Sequence, residues 1–207
     1  QNNNYISPQV GDLFIKEVNR YKKTIPFFTY GRYEEDIVNH FVDLGYKVED
    51  IKEALRLINS NNKRRVRCYD KIISLFNNYK VVYFGTLTFT NDVLNKTSKD
   101  TRRRYVSRYL KSISECYVAN IDFGDKDKNP ESNEREHYHC LLAIEQVPSG
   151  WRYGFSKFKK VVISDTSSTC LSKYIVKLSR HALKQTGNGK APRLIYSKSV
   201  APSWLFE

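Results

Sequence analysis

The chain has 207 residues, and 35 lysines and arginines against 22 acidic residues leave a formal charge of +13 at pH 7. Hydrophobic residues at 40% and aromatics at 14% supply the material for a packed core and exclude general disorder. No apolar run approaches the roughly 18 residues that span a bilayer and no signal peptide opens the chain, so membrane insertion and secretion are not expected and the charge points to a polyanionic partner.

Residues 1–33 read as an N-terminal arm and helix. Leu13, Phe14, Val18 and Tyr21 have helical spacing over Val10 to Tyr21, and Pro26 stops it. Residues 34–78 are helical in pattern throughout and predict a small accessory domain. Ile37, Val38, Phe41 and Val42 mark one short helix that ends at Leu44-Gly45. Val48, Ile51, Ala54, Leu55 and Ile58 mark a second, closed by the polar Ser60-Asn61-Asn62, and Val66, Tyr69, Ile72, Ile73 and Phe76 mark a third.

The pattern changes near Val81, and residues 79–207 form the second predicted domain. Val81 to Phe89 is β-branched and aromatic and reads as a buried strand. Asp92 to Ser114 reads as one helix with Tyr105, Tyr109, Leu110 and Ile113 as its apolar stripe. Strands follow at Cys116 to Phe123 and His137 to Ile144, separated by a polar loop. A helix over Thr169 to Gln185 and a short strand over Leu194 to Tyr196 close the domain. Strands and helices mixed without β-α-β regularity define an α+β class. Cys68, Cys116, Cys140 and Cys170 are widely spaced and read as reduced core residues. The chain contains no methionine, which fits a piece of a longer protein.

Chemistry concentrates in three places. His137 and His139 project from one face of their strand, about 7 Å apart along it. Two such imidazoles ligate one divalent cation when a neighbouring strand supplies an acid, and are otherwise two surface histidines at a strand start. In the preceding strand Val118, Asn120 and Asp122 share a face. Asp122 is either paired or metal-bound, because a bare buried charge is costly, or it is the strand's last solvated residue. Glu134 and Glu136 are rival ligands. On the late helix Leu171, Ile175, Leu178 and Ala182 form an apolar stripe, with Tyr174, Lys177 and His181 in a second stripe beside it. A tyrosine there usually packs and a lysine is usually solvated.

Taken in order, Thr86-Leu87-Thr88-Phe89, His137-Tyr138-His139 and Tyr174-Ile175-Val176-Lys177 resemble the three motifs of HUH endonucleases, in particular the rolling-circle replication initiators of small phages, viruses and plasmids. The middle motif of that family is histidine–hydrophobic–histidine and the third is Y-x-x-K. Ile121-Asp122-Phe123-Gly124-Asp125-Lys126 also looks like the strand end at which microvirus-type initiators carry an acidic ligand, which selects Asp122. The resemblance covers roughly residues 79–199. Two departures are the long loop before His137 and the missing second tyrosine near Tyr174, so the likeness is to single-tyrosine members.

The resemblance implies a central antiparallel sheet flanked by helices, with the histidine strand central. It also implies nicking and rejoining of single-stranded DNA through a 5′-phosphotyrosine, initiating rolling-circle replication in the host cytoplasm. Tyr174 would be the nucleophile and Lys177 a supporting charge, while His137, His139 and Asp122 would hold magnesium or manganese. The partner would be single-stranded DNA or an origin hairpin. No G-x-x-x-x-G-K-[ST] is present, so any helicase would be another chain or a missing portion of a longer protein. Thr86, Thr88, Arg102, Arg103, Arg104, Lys157 and Lys173 are candidate DNA contacts, with Phe89, Trp151 and Tyr153 as candidate stacking rings. The rival readings are an HUH transposase, a plasmid relaxase, or a nucleic-acid-binding protein without chemistry.

Overall fold

A computed structural model describes residues 8–25, 32–123, 135–175 and 193–197. The chain divides into two compact units, Gln1–Asn62 and Lys63–Glu207. The division falls sixteen residues before the predicted boundary at 78/79, because Cys68, Ile72 and Leu75 pack with other residues of the second unit. The second predicted break is absent. Helix α3 runs unbroken over Val48–Asn78, through Ser60-Asn61-Asn62. Serine and asparagine are poor helix residues but not breakers, and the apolar period resumes on the far side.

In the first unit, α1 (Pro8–Lys22), α2 (Tyr33–Asp43) and the start of α3 bury Phe14, Val18, Ile37, Phe41, Ile51, Ala54, Leu55 and Ile58 together. Gly45 ends α2 with φ 89°, a left-handed conformation that costs glycine little. It lets Gly45 N–H and Tyr46 N–H donate to Val42 O and Phe41 O. The Tyr46 ring then stacks on Phe14, with centroids 4.4 Å apart.

The second unit is α+β, with a five-stranded antiparallel sheet between helices. The strands are β1 (Val82–Thr88), β2 (Tyr117–Asp122), β3 (His137–Ala143), β4 (Ser156–Lys160) and β5 (Ile195–Tyr196), in the order β4-β1-β3-β2-β5. The histidine strand is therefore central. β4 was not among the predicted strands, since Ser-Lys-Phe-Lys-Lys offers a single apolar residue and reads as a charged run. Gly85 makes its pairing possible: a β-carbon there would run into the Phe158 ring and lie 2.8 Å from Cys140 Sγ.

The predicted helix over residues 92–114 is two helices, α4 (Asn91–Lys96) and α5 (Lys99–Ile113). Ser98 splits them by capping α5, its hydroxyl accepting from Thr101 N–H at 3.2 Å. α5 lays Val106, Tyr109 and Leu110 on one sheet face, against Leu87, Tyr117, Tyr138 and Leu142. The other face meets Cys68, Ile72 and Leu75 of α3 and Ile175 of α6 (Asp165–Ile175) through Val82, Val118, Leu141 and Ala143. Cys68, Cys116 and Cys140 are buried as expected, whereas Cys170 is exposed. Burial pushes the Cys140 thiol up to about 12, which leaves it inert. Among the described residues no helix is long and apolar enough to cross a membrane.

Candidate metal centre

Register alone brings the candidate ligands together. Asp122 pairs with His137 and Asn120 with His139 across β2 and β3, while Thr88 and Thr86 pair with the same two histidines from β1. Partners directly opposite in an antiparallel ladder share a face. The apolar half of that face lies under α3 and α6, and the polar half continues it toward the ends of β1 and β2.

His137 Nε2 lies 3.1 Å from His139 Nε2. Asp122 Oδ2 lies 3.7 Å from the first and 3.5 Å from the second. These spacings suit one cation: donors at about 2.1 Å from a common ion stand roughly 3.0 to 3.4 Å apart in octahedral or tetrahedral arrangements. Asp122, His137 and His139 thus form a group that could hold a metal ion. The second layer aims them. The far nitrogen of His137 bonds the Arg135 carbonyl at 2.8 Å, and the far nitrogen of His139 meets Thr86 Oγ1 at 3.2 Å. Burial raises the Asp122 carboxyl, but the His139 hydrogen bond, the His137 charge and the Phe123 N–H outweigh it and hold the group at about 2. It is a carboxylate throughout the neutral range.

Glu136 is no rival for this role. It projects to the opposite face, where Arg102 Nε and Nη2 donate to its two oxygens at 2.9 and 2.6 Å. Glu134 lies outside the described residues, as do Lys177 and His181.

Tyr174 stands beside the triad. Its ring lies 4.9 Å from the His139 ring and 5.7 Å from Phe84, and the residue is 49% exposed. Burial, and secondarily the Asp122 charge, raise its phenol above the ordinary value. The helix end that carries it is tied down by Asn120, a residue the sequence reading did not single out. The Asn120 side chain donates from Nδ2 to Ile175 O at 2.7 Å and accepts from Arg64 Nη2 at 2.9 Å, all of it buried. An asparagine within an apolar strand needs such partners, and that was the available signal.

The candidate DNA contacts separate. Lys157 is exposed opposite Thr86, and Lys173 is exposed beside Tyr174. Thr86 and Thr88 bond inward, to His139 and to the Phe155 backbone. Arg102 departs from its predicted role: it is buried in the Glu136 pair and also donates to Leu94 O. Arg103 donates to Arg193 O and Leu194 O, and Arg104 lies with it on α5, over the face away from the triad. The three proposed stacking rings are also otherwise engaged. Phe89 and Trp151 are core residues, and Tyr153 stacks on Tyr105 at 4.0 Å. No family model, no curated protein and no solved structure matches the chain.

Proposed function

We propose that the chain nicks and rejoins single-stranded DNA through a 5′-phosphotyrosine, in the manner of single-tyrosine rolling-circle initiators. The observation that carries this reading is the convergence of Asp122, His137 and His139 on one point with the Tyr174 ring against His139. The Tyr174 oxygen attacks a backbone phosphorus, the bond to the 3′ oxygen breaks, and the phenolic proton is balanced by the proton taken up by the leaving 3′-hydroxyl. Asp122, His137 and His139 would hold magnesium or manganese, which would supply Lewis-acid polarisation of the phosphate. Asn120 holds the backbone next to Tyr174, so the nucleophile is positioned before substrate arrives. Lys177 adds positive charge in this scheme, by its place in the Y-x-x-K motif. Because the ester energy is kept in the adduct, the free 3′-hydroxyl can reverse the step without a nucleotide.

The test is Tyr174→Phe, which keeps the ring and removes the attacking oxygen. The wild-type protein with Mn2+ and single-stranded DNA carrying its own origin should give a detergent-resistant protein–DNA adduct, and the variant none. An adduct on the variant moves the nucleophile elsewhere. If neither protein forms one, the chain is a nucleic-acid-binding protein without this chemistry.

A further inference from the structure

Phe155 is a large apolar side chain left 68% exposed, just before β4. The β1–β4 register pairs Leu87 with Ser156 and Thr86 with Lys157, and the next step of the same ladder places Phe155 opposite Thr88. Backbone bonds continue that register, with Thr88 N–H donating to Phe155 O and Thr90 N–H to Tyr153 O, both at 2.9 Å, while Phe155 N–H donates to the Thr88 side-chain Oγ1 at 3.0 Å. Alternation then puts Phe155, Lys157 and Lys159 on the face of the triad, and Phe158 on the other, where it packs against the α5 core. Lys157 and Lys159 are exposed, so the ring is followed by two solvent-facing positive charges spaced along one edge strand. From β4 to the histidine strand is two strand spacings, about 10 Å. That is a few nucleotides of a single strand, at about 3.4 Å each when stacked.

An exposed ring beside a lysine row on the catalytic face suits one occupant, an unpaired nucleotide strand, whose phosphates meet the lysines while a base covers the ring. We propose that Phe155 is a stacking platform for one base of the strand near the cleaved phosphodiester, with Lys157 and Lys159 holding the adjoining backbone. It is a substrate-positioning residue and forms no bond to the reacting atoms. The proposal rests on the single-strand nicking reading and adds to it the residue that sets how the strand lies across the sheet.

The experiment uses the full chain and a fluorescein-labelled 20-nucleotide single strand of mixed sequence, with binding followed by anisotropy. Phe155→Ala should weaken binding about tenfold, as expected for loss of one stacked base, while Phe155→Tyr should retain wild-type affinity. In Phe155→Trp the tryptophan emission should be quenched by the oligonucleotide. Lys157→Ala with Lys159→Ala should lower the salt slope by about 1.4, at about 0.7 per lost phosphate contact on a single strand. Wild-type affinity in Phe155→Ala would overturn the platform and leave the nicking reading intact. Equal weakening by Ala and Tyr would also overturn it, since a packing defect and not stacking would then be responsible. If the wild-type protein binds no single strand, the nicking reading fails first and the platform with it.

Discussion

On one sheet face Leu87, Tyr138, Leu142 and Tyr117 meet Val106, Tyr109 and Leu110 in an apolar layer that runs the length of the strands. On the other, the layer of Val82, Leu141 and Val118 stops halfway, and Thr86, His137, His139, Asn120 and Asp122 take over. The same three strands build both, so the difference comes from alternate residues alone. The teaching is that the first face holds the sheet's shape while the second spends part of its burial on groups that must be bonded to be tolerated. Even the ionic pair on the first face, Arg102–Glu136, is a bidentate anchor at the start of β3 and offers nothing to solvent.

Substitutions on the two faces should therefore fail in different ways. The largest effect expected is on the polar half: His139→Ala should cut cleavage at least about a hundredfold while single-strand affinity changes little, read by adduct yield and anisotropy on the same preparation. Arg102→Ala, on the apolar face, should cost about 3–5 kcal/mol in denaturant unfolding by stranding the Glu136 charge, and replacing both partners with apolar residues should recover much of it. A loss no larger than a surface substitution's would show that water reaches this pair and that the face is less dry than described. Next in size is the metal: Mn2+ at a hundred times its dissociation constant should stabilise the wild-type protein by about 2.7 kcal/mol, seen as a raised Tm. The gain should vanish in Asp122→Ala and persist in Glu136→Gln. Smallest is the pH effect. In the metal-free protein burial, and secondarily the Asp122 charge, raise the Tyr174 phenol. The absorbance titration of wild type minus Tyr174→Phe should therefore show a tyrosine that ionises above the ordinary value, and one ionising at or below that value would contradict this environment.

Much of the polar face was legible because its signals are local. H-x-H on a strand put two candidate ligands on one face by alternation, the family resemblance selected Asp122 on the neighbouring strand over Glu134 and Glu136, and the α+β class followed from the order of the elements. What escaped depends on tertiary partners. β4 owes its strand to the edge of β1 and to Gly85, not to its own composition. Arg102 and Arg64 look solvated in basic stretches, yet each is buried with a side-chain partner distant in sequence, Glu136 for the one and Asn120 for the other. The same blindness reversed the aromatics: Phe89 and Trp151 sit in the core, while Phe155 stands in solvent. A cut near Asn77, suggested by the predicted boundary, would remove Cys68, Ile72 and Leu75 from beneath the sheet, so a cut at the 62/63 division is the informative truncation.

The Thr86–His139 contact has one more consequence, which concerns where a proton resides. The Arg135 carbonyl can only accept, so the His137 Nδ1 that meets it carries a hydrogen. A cation shared by the two Nε2 atoms would need a lone pair on each, so His139 would likewise carry its hydrogen on Nδ1, with Thr86 Oγ1 as the acceptor. A hydroxyl can also donate, so by turning about one bond Thr86 can meet that nitrogen with or without its hydrogen. The isosteric Thr86→Val can do neither and should weaken metal affinity about 10- to 100-fold with Asp122, His137 and His139 untouched.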